Sequence, residues 1–317
     1  MNETKNLKSF LTEHVLLNGS SLLSDADKEQ LRTLRKERLE RPVILLTYTT
    51  QTKIAGAGEI RSKILQHLRE KEYQADILHT GSLGLFSLEP MIQIQIPGKT
   101  RLVFHSIQPE QVADLIDSVF NRFIPNEQLL GQIRNEQLEA WDGIPFLEDI
   151  PFFAQQRKII TRNCGIVDPS SIEEYIAHGG FRSFARAIRR HTYEEICDII
   201  EKSQLRGRGG SGYPTGKKWK TALGQSSDQK YLICNADESD PGSFTERFLA
   251  EGDPFRVIEG IALSSYAINA NKAIIFIRNR YYQAIERLEN AIHRAREYGI
   301  LGHNIFDSGF NLDIEIK

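Results

Sequence analysis

The sequence predicts an α/β protein of two domains, a small one followed by a larger one built on a parallel sheet. With 317 residues, the chain is long enough for two hydrophobic cores. Its first half has elements in the order βαβ–ββ–α. In its second half strands alternate with helices, which predicts a doubly wound parallel sheet with helices on both faces.

The first domain, residues 41–125, is predicted from six short elements whose order is that of a thioredoxin-like fold. Ile60 and Ile64 recur at helical spacing on one face of a helix. Residues 91–96 alternate apolar and polar side chains, and a Pro-Gly turn separates them from the next apolar run, which predicts a hairpin. The elements are strand Val43–Leu46, helix Glu59–Glu70, strand Tyr73–Leu78, strands Met91–Ile96 and Leu102–Phe104, and helix Gln111–Phe123.

Two segments flank this domain. Residues 1–40 are predicted to be a helical lead-in, with the highest charge density over Asp25–Glu40. Residues 126–165 contain Pro145 and Pro151 and are predicted to be an irregular connector.

The second domain, residues 166–317, begins with helices and continues into the alternating pattern. Ser170 and Ser171 can cap a helix that the pair Gly179-Gly180 ends. The predicted elements are a helix ending at Ala177, helices Phe181–Arg190 and Tyr193–Ser203, strand Tyr231–Cys234, helix Pro254–Ile268, strand Ala273–Ile277, helix Tyr281–Tyr298 and strand Leu312–Ile316.

The composition argues against several classes of function. A net charge of −2 indicates no general affinity for DNA, RNA or anionic membranes. The three cysteines, Cys164, Cys197 and Cys234, have no paired spacing for a disulfide framework or a metal site, which fits a reducing compartment. The sequence has no apolar signal-peptide core and no run near the roughly 18 apolar residues of a membrane helix. We therefore predict a cytoplasmic protein with no nucleic-acid partner and no direct membrane insertion.

Residues 206–219, here called the glycine segment, are the most informative part of the chain. They contain five glycines, which allow several backbone N–H groups to approach one anion. From Lys202 to Lys220 there are six basic residues and no acidic one. Backbone amides combined with positive charge are typical of a site for a phosphorylated cofactor.

Two common nucleotide motifs do not fit the glycine segment. A dinucleotide fingerprint follows a strand, whereas a predicted helix precedes these glycines. A Walker A loop ends in Gly-Lys-Ser/Thr, and here Gly216-Lys217 is followed by Lys218. The remaining alternative is a flexible surface loop. Tyr213 and Trp219 argue against it, because a solvated linker has little use for rigid aromatic side chains.

A polar cluster, residues 235–242, directly follows the predicted strand 231–234. Residues 236–253 contain six acids and one base, Arg247. The amide of Asn235 beside the carboxylates of Asp237 and Glu238 can read the edge of a heterocycle and the hydroxyls of a ribose. Ligands of open α/β sheets bind at such strand ends. An acidic turn that caps a helix is the alternative, and the nearby basic segment favours a nucleotide-like cofactor.

Metal and nucleophile sites have less support in the sequence. The eight histidines form no recognisable ligand pair. Asp237 and Glu238 are adjacent rather than opposed, so a hydrolytic carboxylate pair is not indicated. Cys234 lies in an apolar run and is predicted to be a core residue, and Cys164 is predicted to be structural.

From about Gln155 to Lys317 the chain resembles the family of NADH-oxidising flavoprotein subunits. This family includes the NADH-binding subunit of respiratory complex I, the diaphorase and beta subunits of NAD-reducing and electron-bifurcating hydrogenases, and beta subunits of NAD-dependent formate dehydrogenases. The resemblance rests on motifs in the same order, at Arg162–Gly165, Asp168-Pro169, Gly179–Phe181, Leu205–Trp219, Tyr231–Gly242, Glu251–Pro254 and Ile258–Gly260.

The resemblance implies a Rossmann-like domain that binds FMN and exchanges a hydride with NAD(H). It further implies that electrons pass singly to iron–sulfur clusters of partner subunits. Glu238 is the implied catalytic residue, facing the nicotinamide, and Tyr213 is implied to stack on NADH. The implied cofactor-binding residues are Gly207, Arg208, Gly209, Gly210, Gly212, Tyr213, Lys218, Asn235, Asp237, Glu238 and Ser239.

The chain departs from the family pattern at two places in its sequence. Thr221 stands where an aromatic residue usually follows the Lys-Trp pair, so weaker stacking of NADH is expected. Relatives carry a two-iron cluster on four cysteines of the thioredoxin-like domain, and none of the matching residues here supplies a thiolate. We therefore expect that domain to serve as a scaffold or docking surface. The matching residues are Thr47, Thr52, Ser82 and Phe86.

A third departure is that the chain stops at Lys317. Full-length family members continue into a glycine-rich segment and a helical domain with a four-iron cluster, whose ligands are absent from this chain. We therefore expect a fragment of a longer subunit or the product of a split gene. Two functions stay open: an FMN- and NAD(H)-binding oxidoreductase subunit that works with iron–sulfur partners, and a non-catalytic assembly or regulatory module that keeps the fold.

Overall fold

The computed structural model describes residues 7–17, 23–238, 240 and 242–317. These residues form two compact units, each with its own sheet. The thioredoxin-like unit contains Asp25–Glu174 together with Glu251–Asp253. The parallel-sheet unit contains the described residues before Asp25, together with Tyr175–Ala250 and Pro254–Lys317.

The thioredoxin-like unit is built on a mixed sheet of five strands. The strands are β1 (Val43–Thr47), β2 (Asp76–Thr80), β3 (Ile92–Gln95), β4 (Leu102–Phe104) and β5 (Leu129–Gln132). They lie in the order β2-β1-β3-β4-β5. β1 is parallel to β2 and antiparallel to β3, and β3 and β4 form the antiparallel hairpin that the sequence predicts. This is the βαβ–ββ–α topology of a thioredoxin-like fold.

Two amphipathic helices cover one face of this sheet. Ile60 and Ile64, which the periodicity places on one helical face, are fully buried against Ile44 and Leu46 of β1. The helices of the unit are α1 (Asp25–Leu34), α2 (Thr50–Ile54), α3 (Ala57–Glu70), α4 (Val112–Phe120) and α5 (Pro151–Ala154), and short 3₁₀ turns lie at Phe86–Leu88, Pro109–Gln111 and Leu147–Asp149. Helix α6 (Ile172–Ala177) begins in this unit and ends in the parallel-sheet unit.

Strand β5 lies in the segment for which the sequence predicts an irregular connector. Its Gln132 side chain donates to the carbonyls of Trp141 (2.9 Å) and Ile144 (2.7 Å) and accepts from the Thr100 hydroxyl (2.5 Å). A strand of four residues is too short to show a periodicity, and pairing with β4 is what defines it. The prediction is therefore wrong for residues 129–132.

The parallel-sheet unit follows the predicted alternation closely. Its strands β6 (Tyr231–Ala236), β7 (Lys272–Ile277) and β8 (Asp313–Ile316) are parallel and lie in the order β6-β7-β8. Its helices are α7 (Arg182–Arg190), α8 (Tyr193–Lys202), α9 (Thr215–Leu223), α10 (Thr245–Gly252), α11 (Pro254–Ala267) and α12 (Tyr282–Glu297), with a π-helix at Phe10–Leu17 and a 3₁₀ turn at Ile305–Asp307.

Helices cover only one face of the described parallel sheet, so the prediction of a doubly wound sheet covered on both faces is wrong for this part of the chain. On the covered face, Ile275 and Ile314 are buried. On the other face, Ile233 is 60% exposed, Phe276 is 51% exposed and Tyr231 is also exposed. The strand order explains this asymmetry. The chain passes from β6 to its neighbour β7 and then onward to β8, so both crossovers advance across the sheet in the same direction. Because crossovers between parallel strands are right-handed, their helices, α11 and α12, lie on the same face of the sheet.

Candidate functional site

The glycine segment connects α8 to α9 and is closed at its base by backbone hydrogen bonds. The N–H of Gly207 donates to the carbonyl of Tyr213, and the N–H of Thr215 donates to the carbonyl of Leu205, both over 2.9 Å. The Arg206 guanidinium donates to the carbonyl of Gly212 at 3.0 Å. These contacts form a short two-stranded bridge between residues 206 and 214 and fix the ends of the loop.

Helix α9 is held against α8 by a close backbone contact and by ion pairs. Lys220 lies 2.6 Å from Asp198 and 2.5 Å from Glu201. Hydrogen bonds to these two carboxylates raise the pKa of Lys220 well above its usual range. Gly216 faces the backbone of Glu201 with no space for a side chain. Lys220, one of the six bases counted around the glycine segment, therefore joins two helices rather than serving as a free cation.

A cavity of about 740 Å³ opens between the glycine segment, α9, α11 and the free edge of β6. Four of the residues predicted to bind cofactor line it, and one of them, Tyr213, is 53% exposed. Apolar side chains such as Trp219 and Ile261 form much of the remaining wall. This volume is in the range of sites for cofactors and drug-sized ligands. The four predicted residues that line the cavity are Gly207, Gly209, Tyr213 and Lys218.

Other predicted residues of the glycine segment shape the turn without lining the cavity. Gly210 and Gly212 have φ values of 109° and 60°, in the left-handed region where glycine is favoured. Arg208 is exposed to solvent. Ser239 lies outside the described residues.

The predicted residues Asn235, Asp237 and Glu238 lie at the carboxyl end of β6 but do not line the cavity. The Asn235 side chain accepts a hydrogen bond from the backbone N–H of Asp237 at 3.1 Å. The Nε atom of Arg278 donates to the Asp237 carboxylate at 2.8 Å, and this bond raises the pKa of Arg278. Arg278 directly follows β7, so the ends of two neighbouring strands are joined here. Arg278 was not identified from the sequence, although a cation just after a parallel strand is a usable signal.

Glu238 is 4% exposed and has a carboxylic acid neighbour. Burial and a hydrogen bond with the Glu246 side chain raise the pKa of Glu238, while a bond from the Ser243 hydroxyl (3.2 Å) opposes the shift. Its Oε2 atom is buried and has no hydrogen-bond partner among the described residues. The arrangement favours a carboxyl that holds its proton at higher pH than an exposed glutamate does. Glu246, in the first turn of α10, was not identified from the sequence.

Cys234 is half-buried and lines the cavity, which corrects the prediction of a core position. Strand β6 is the edge of its sheet, and Cys234 borders the cavity together with Tyr231, Leu232 and Ile233. Burial raises the pKa of the Cys234 thiol and keeps it protonated. Cys164 is buried, as predicted for a structural residue.

Two of the four residues at the expected two-iron positions, Thr52 and Ser82, use their hydroxyls in local hydrogen bonds within the thioredoxin-like unit. The Thr52 hydroxyl accepts from the N–H of Thr49 (2.8 Å) and donates to the carbonyl of Thr47 (2.9 Å), which caps α2. The Ser82 hydroxyl accepts from the N–H of Gly84 (2.9 Å). Hydroxyl groups and the phenyl ring of Phe86 do not fit a cluster that requires thiolates. In the ranges that the structure describes, no three His, Cys, Asp or Glu side chains are grouped to hold a metal ion.

Within the same ranges, no helix combines the length and the apolar character needed to cross a bilayer.

The comparison with protein families gives a match in the second half of the chain. Residues 200–317 match the family described as the Nuo51 FMN-binding domain. This stretch contains the glycine segment, all three strands of the parallel sheet and every wall of the cavity. These features therefore lie within the part of the chain that is similar to that family.

Individual relatives are subunits of two kinds of redox enzyme. The chain is 52% identical over 163 residues to the NADP-reducing hydrogenase subunit HndC of Solidesulfovibrio fructosivorans, covering 51% of this chain and 33% of that protein. It is 44% identical over 158 residues to the F 2 subunit of the NADH-quinone oxidoreductase of Rhizobium meliloti strain 1021, covering 50% and 38%. It is 42% identical over 242 residues to the NAD-reducing hydrogenase HoxS subunit alpha of Cupriavidus necator, covering 76% and 36%. The chain thus spans about a third of the length of these relatives.

Among solved structures, the chain is similar to an NAD⁺-reducing NiFe hydrogenase in its H₂-reduced state. The alignment covers 98% of this chain and 50% of the hydrogenase chain, at 20% identity and a TM-score of 0.38.

Proposed function

We propose that this chain is a flavoprotein subunit that binds FMN in the β6–α11 cavity and exchanges a hydride between FMN and NAD(H). The observation that carries the proposal is the cavity itself. Its walls combine the backbone of Gly207 and Gly209, the ammonium group of Lys218 and an apolar surface. That combination suits a ligand with a phosphate at one end and an aromatic ring system at the other.

The protein's part in this chemistry is to bind and orient. Gly209 leaves its backbone open to a phosphate or a ring without a side chain in between, whereas the N–H of Gly207 is bonded to the Tyr213 carbonyl and closes the base of the loop. A Cβ atom built on Gly209 meets nothing within 4 Å, so the space beside it is open for a ligand. When bound, FMN supplies an acceptor for the hydride of a reduced nicotinamide and can return single electrons to other centres.

On the nicotinamide side we assign roles to Tyr213 and Glu238. The half-exposed ring of Tyr213 offers a face for stacking. Glu238, with its raised pKa, can keep a proton and donate a hydrogen bond where an ionised carboxylate would repel the phosphates of NAD(H). Asp237, whose carboxylate accepts from Arg278, and Asn235, whose side chain accepts from the N–H of Asp237, provide further polar groups at the same strand end.

The relatives' names support a place in a multisubunit redox enzyme, and we propose iron–sulfur subunits as the electron partners. The test begins with purification and an absorbance spectrum, followed by reconstitution with FMN. A bound flavin that NADH bleaches without oxygen is the expected result. A colourless protein that FMN does not reconstitute contradicts the proposal.

The second candidate is a non-catalytic assembly or regulatory module with the same fold. It is favoured by the hydroxyl and phenyl side chains at the two-iron positions, which leave the thioredoxin-like unit without cluster ligands. Bound FMN whose oxidised spectrum persists under anaerobic NADH supports this candidate over the first.

A further inference from the structure

The charges on the cavity wall are of one sign. Lys218 and Arg256 line the cavity from two different helices, α9 and α11. Among the described residues, no aspartate or glutamate lines it. A half-enclosed site with two cations and no carboxylate is complementary to a dianion, because each charge is screened less there than at an open surface.

Most other bases between Lys202 and Lys220 are not placed to serve this site. Lys220 is paired with Asp198 and Glu201, and Arg206 holds the carbonyl of Gly212. Arg208 and Lys217 are exposed and lie outside the cavity wall. The second positive charge of the cavity wall, Arg256, therefore comes from α11, which lies outside the glycine segment.

Arg256 lies in the first turn of α11, and its guanidinium is 6.0 Å from the ring centroid of Tyr175. Stacking on an aromatic ring orients a guanidinium and keeps its edge, which carries the N–H donors, away from the ring. A guanidinium edge can bind a phosphate through two parallel N–H···O bonds, whereas an ammonium group acts as a point charge.

We propose that Arg256, together with Lys218, binds the phosphomonoester of the cofactor and so selects a phosphorylated flavin over the unphosphorylated one. The inference rests on the proposed FMN site and adds to it a residue outside the glycine segment that determines specificity. Lys218 supplies charge from one wall, and Arg256 supplies the bidentate contact from the other.

The test compares FMN with riboflavin, which differ by the phosphate alone. Binding is measured by flavin fluorescence quenching on the full chain for wild type, Arg256→Met and Arg256→Lys. Arg186→Met, which removes an exposed cation of α7 remote from the cavity wall, is the matched control. Thermal melts of each variant verify the fold.

We expect Arg256→Met to weaken FMN about 10- to 100-fold, since a hydrogen bond to a charged group contributes about 1.5–3 kcal/mol. Riboflavin affinity should change less than about threefold, and Arg256→Lys should fall between wild type and Arg256→Met for FMN. The control should match wild type for both flavins.

Equal losses for FMN and riboflavin in Arg256→Met, or no loss for FMN, overturn the inference while leaving the FMN site standing. A wild-type chain that binds neither flavin contradicts the proposed function itself. These two failures are therefore distinguishable in one experiment.

Discussion

Gly216 in the first turn of α9 lies so close to Glu201 of α8 that a Cβ atom at position 216 would overlap the Glu201 backbone. The glycine segment thus contains glycines with two different roles. Gly216 permits helix packing, whereas Gly209, where a Cβ atom would meet nothing within 4 Å, leaves open space beside the cavity. Substitutions at the two positions should consequently fail in different ways.

Gly216→Val should destabilise the protein, because overpacking against a backbone costs about 1–3 kcal/mol. Gly209→Val should leave the melting temperature unchanged and lose bound FMN, because its side chain fills space assigned to the ligand. Thermal melts and flavin content of the two purified variants check this. Normal FMN retention in a folded Gly209→Val variant contradicts the assignment of the loop.

We expect the stability of the thioredoxin-like unit to depend on pH because of Glu89. Burial raises its pKa from 4.5 to about 7, the charge of Glu251 adds to the shift, and a hydrogen bond with Ser82 opposes it. The folded state therefore keeps a proton that the unfolded state has lost. The stabilisation is complete below pH 4.5 and disappears as the pH rises to about 7.

The change in unfolding free energy from this group amounts to about 3 kcal/mol. Urea unfolding at about pH 5 and about pH 8 should show the loss in wild type. Glu89→Gln should reduce the difference, and Glu127→Gln, an exposed residue of the same unit, should not. Equal pH dependence in wild type and Glu89→Gln would show that Glu89 is not the responsible group.

Glu238 predicts a pH dependence of NADH binding. Its pKa is raised by burial and by Glu246, so the neutral form persists above the usual range for glutamate. Ionisation at higher pH should weaken NADH affinity through repulsion of the substrate phosphates. The groups around it are Glu246, Ser243, Arg247, Arg278 and Tyr281.

Glu238→Gln should remove this pH dependence, because an amide donates a hydrogen bond at every pH. Dissociation constants for NADH between about pH 5 and about pH 9 provide the measurement. Glu289→Gln, an exposed residue of α12, serves as the control and should behave as wild type. A Glu238→Gln variant with the wild-type pH profile rules out this role.

We expect a substitution of Tyr213 to weaken the binding of NADH without affecting the binding of FMN. Tyr213→Ala should weaken NADH about two- to tenfold, as expected for a lost aromatic stacking contact of about 0.5–1.5 kcal/mol. FMN content should stay within error of wild type. Tyr282→Ala removes another highly exposed tyrosine, on α12, and should change neither. A loss of FMN affinity larger than the loss of NADH affinity would show that Tyr213 contacts the flavin rather than the nicotinamide.

Much of the local structure could be predicted from the sequence. The helical face of Ile60 and Ile64, the hairpin around residues 91–104 and the parallel strands all follow from periodicity and turn residues, which are local properties. Strand β5 could not be predicted, because its hydrogen bonds depend on β4 and on the amide of Gln132.

The features of the candidate site can likewise be separated into those that the sequence predicts and those that depend on the tertiary structure. By itself, the sequence determined that the glycine segment is basic, rich in glycine and followed by a polar strand end, and these features indicated a phosphorylated cofactor. Only the tertiary structure decided that Arg256 joins Lys218 at the cavity and that Glu246 lies against Glu238. It also decided that both crossover helices lie on one face of the sheet. The reason is physical: glycine content and periodicity are written in neighbouring residues, whereas burial, pKa and charge complementarity depend on side chains brought together from distant parts of the chain.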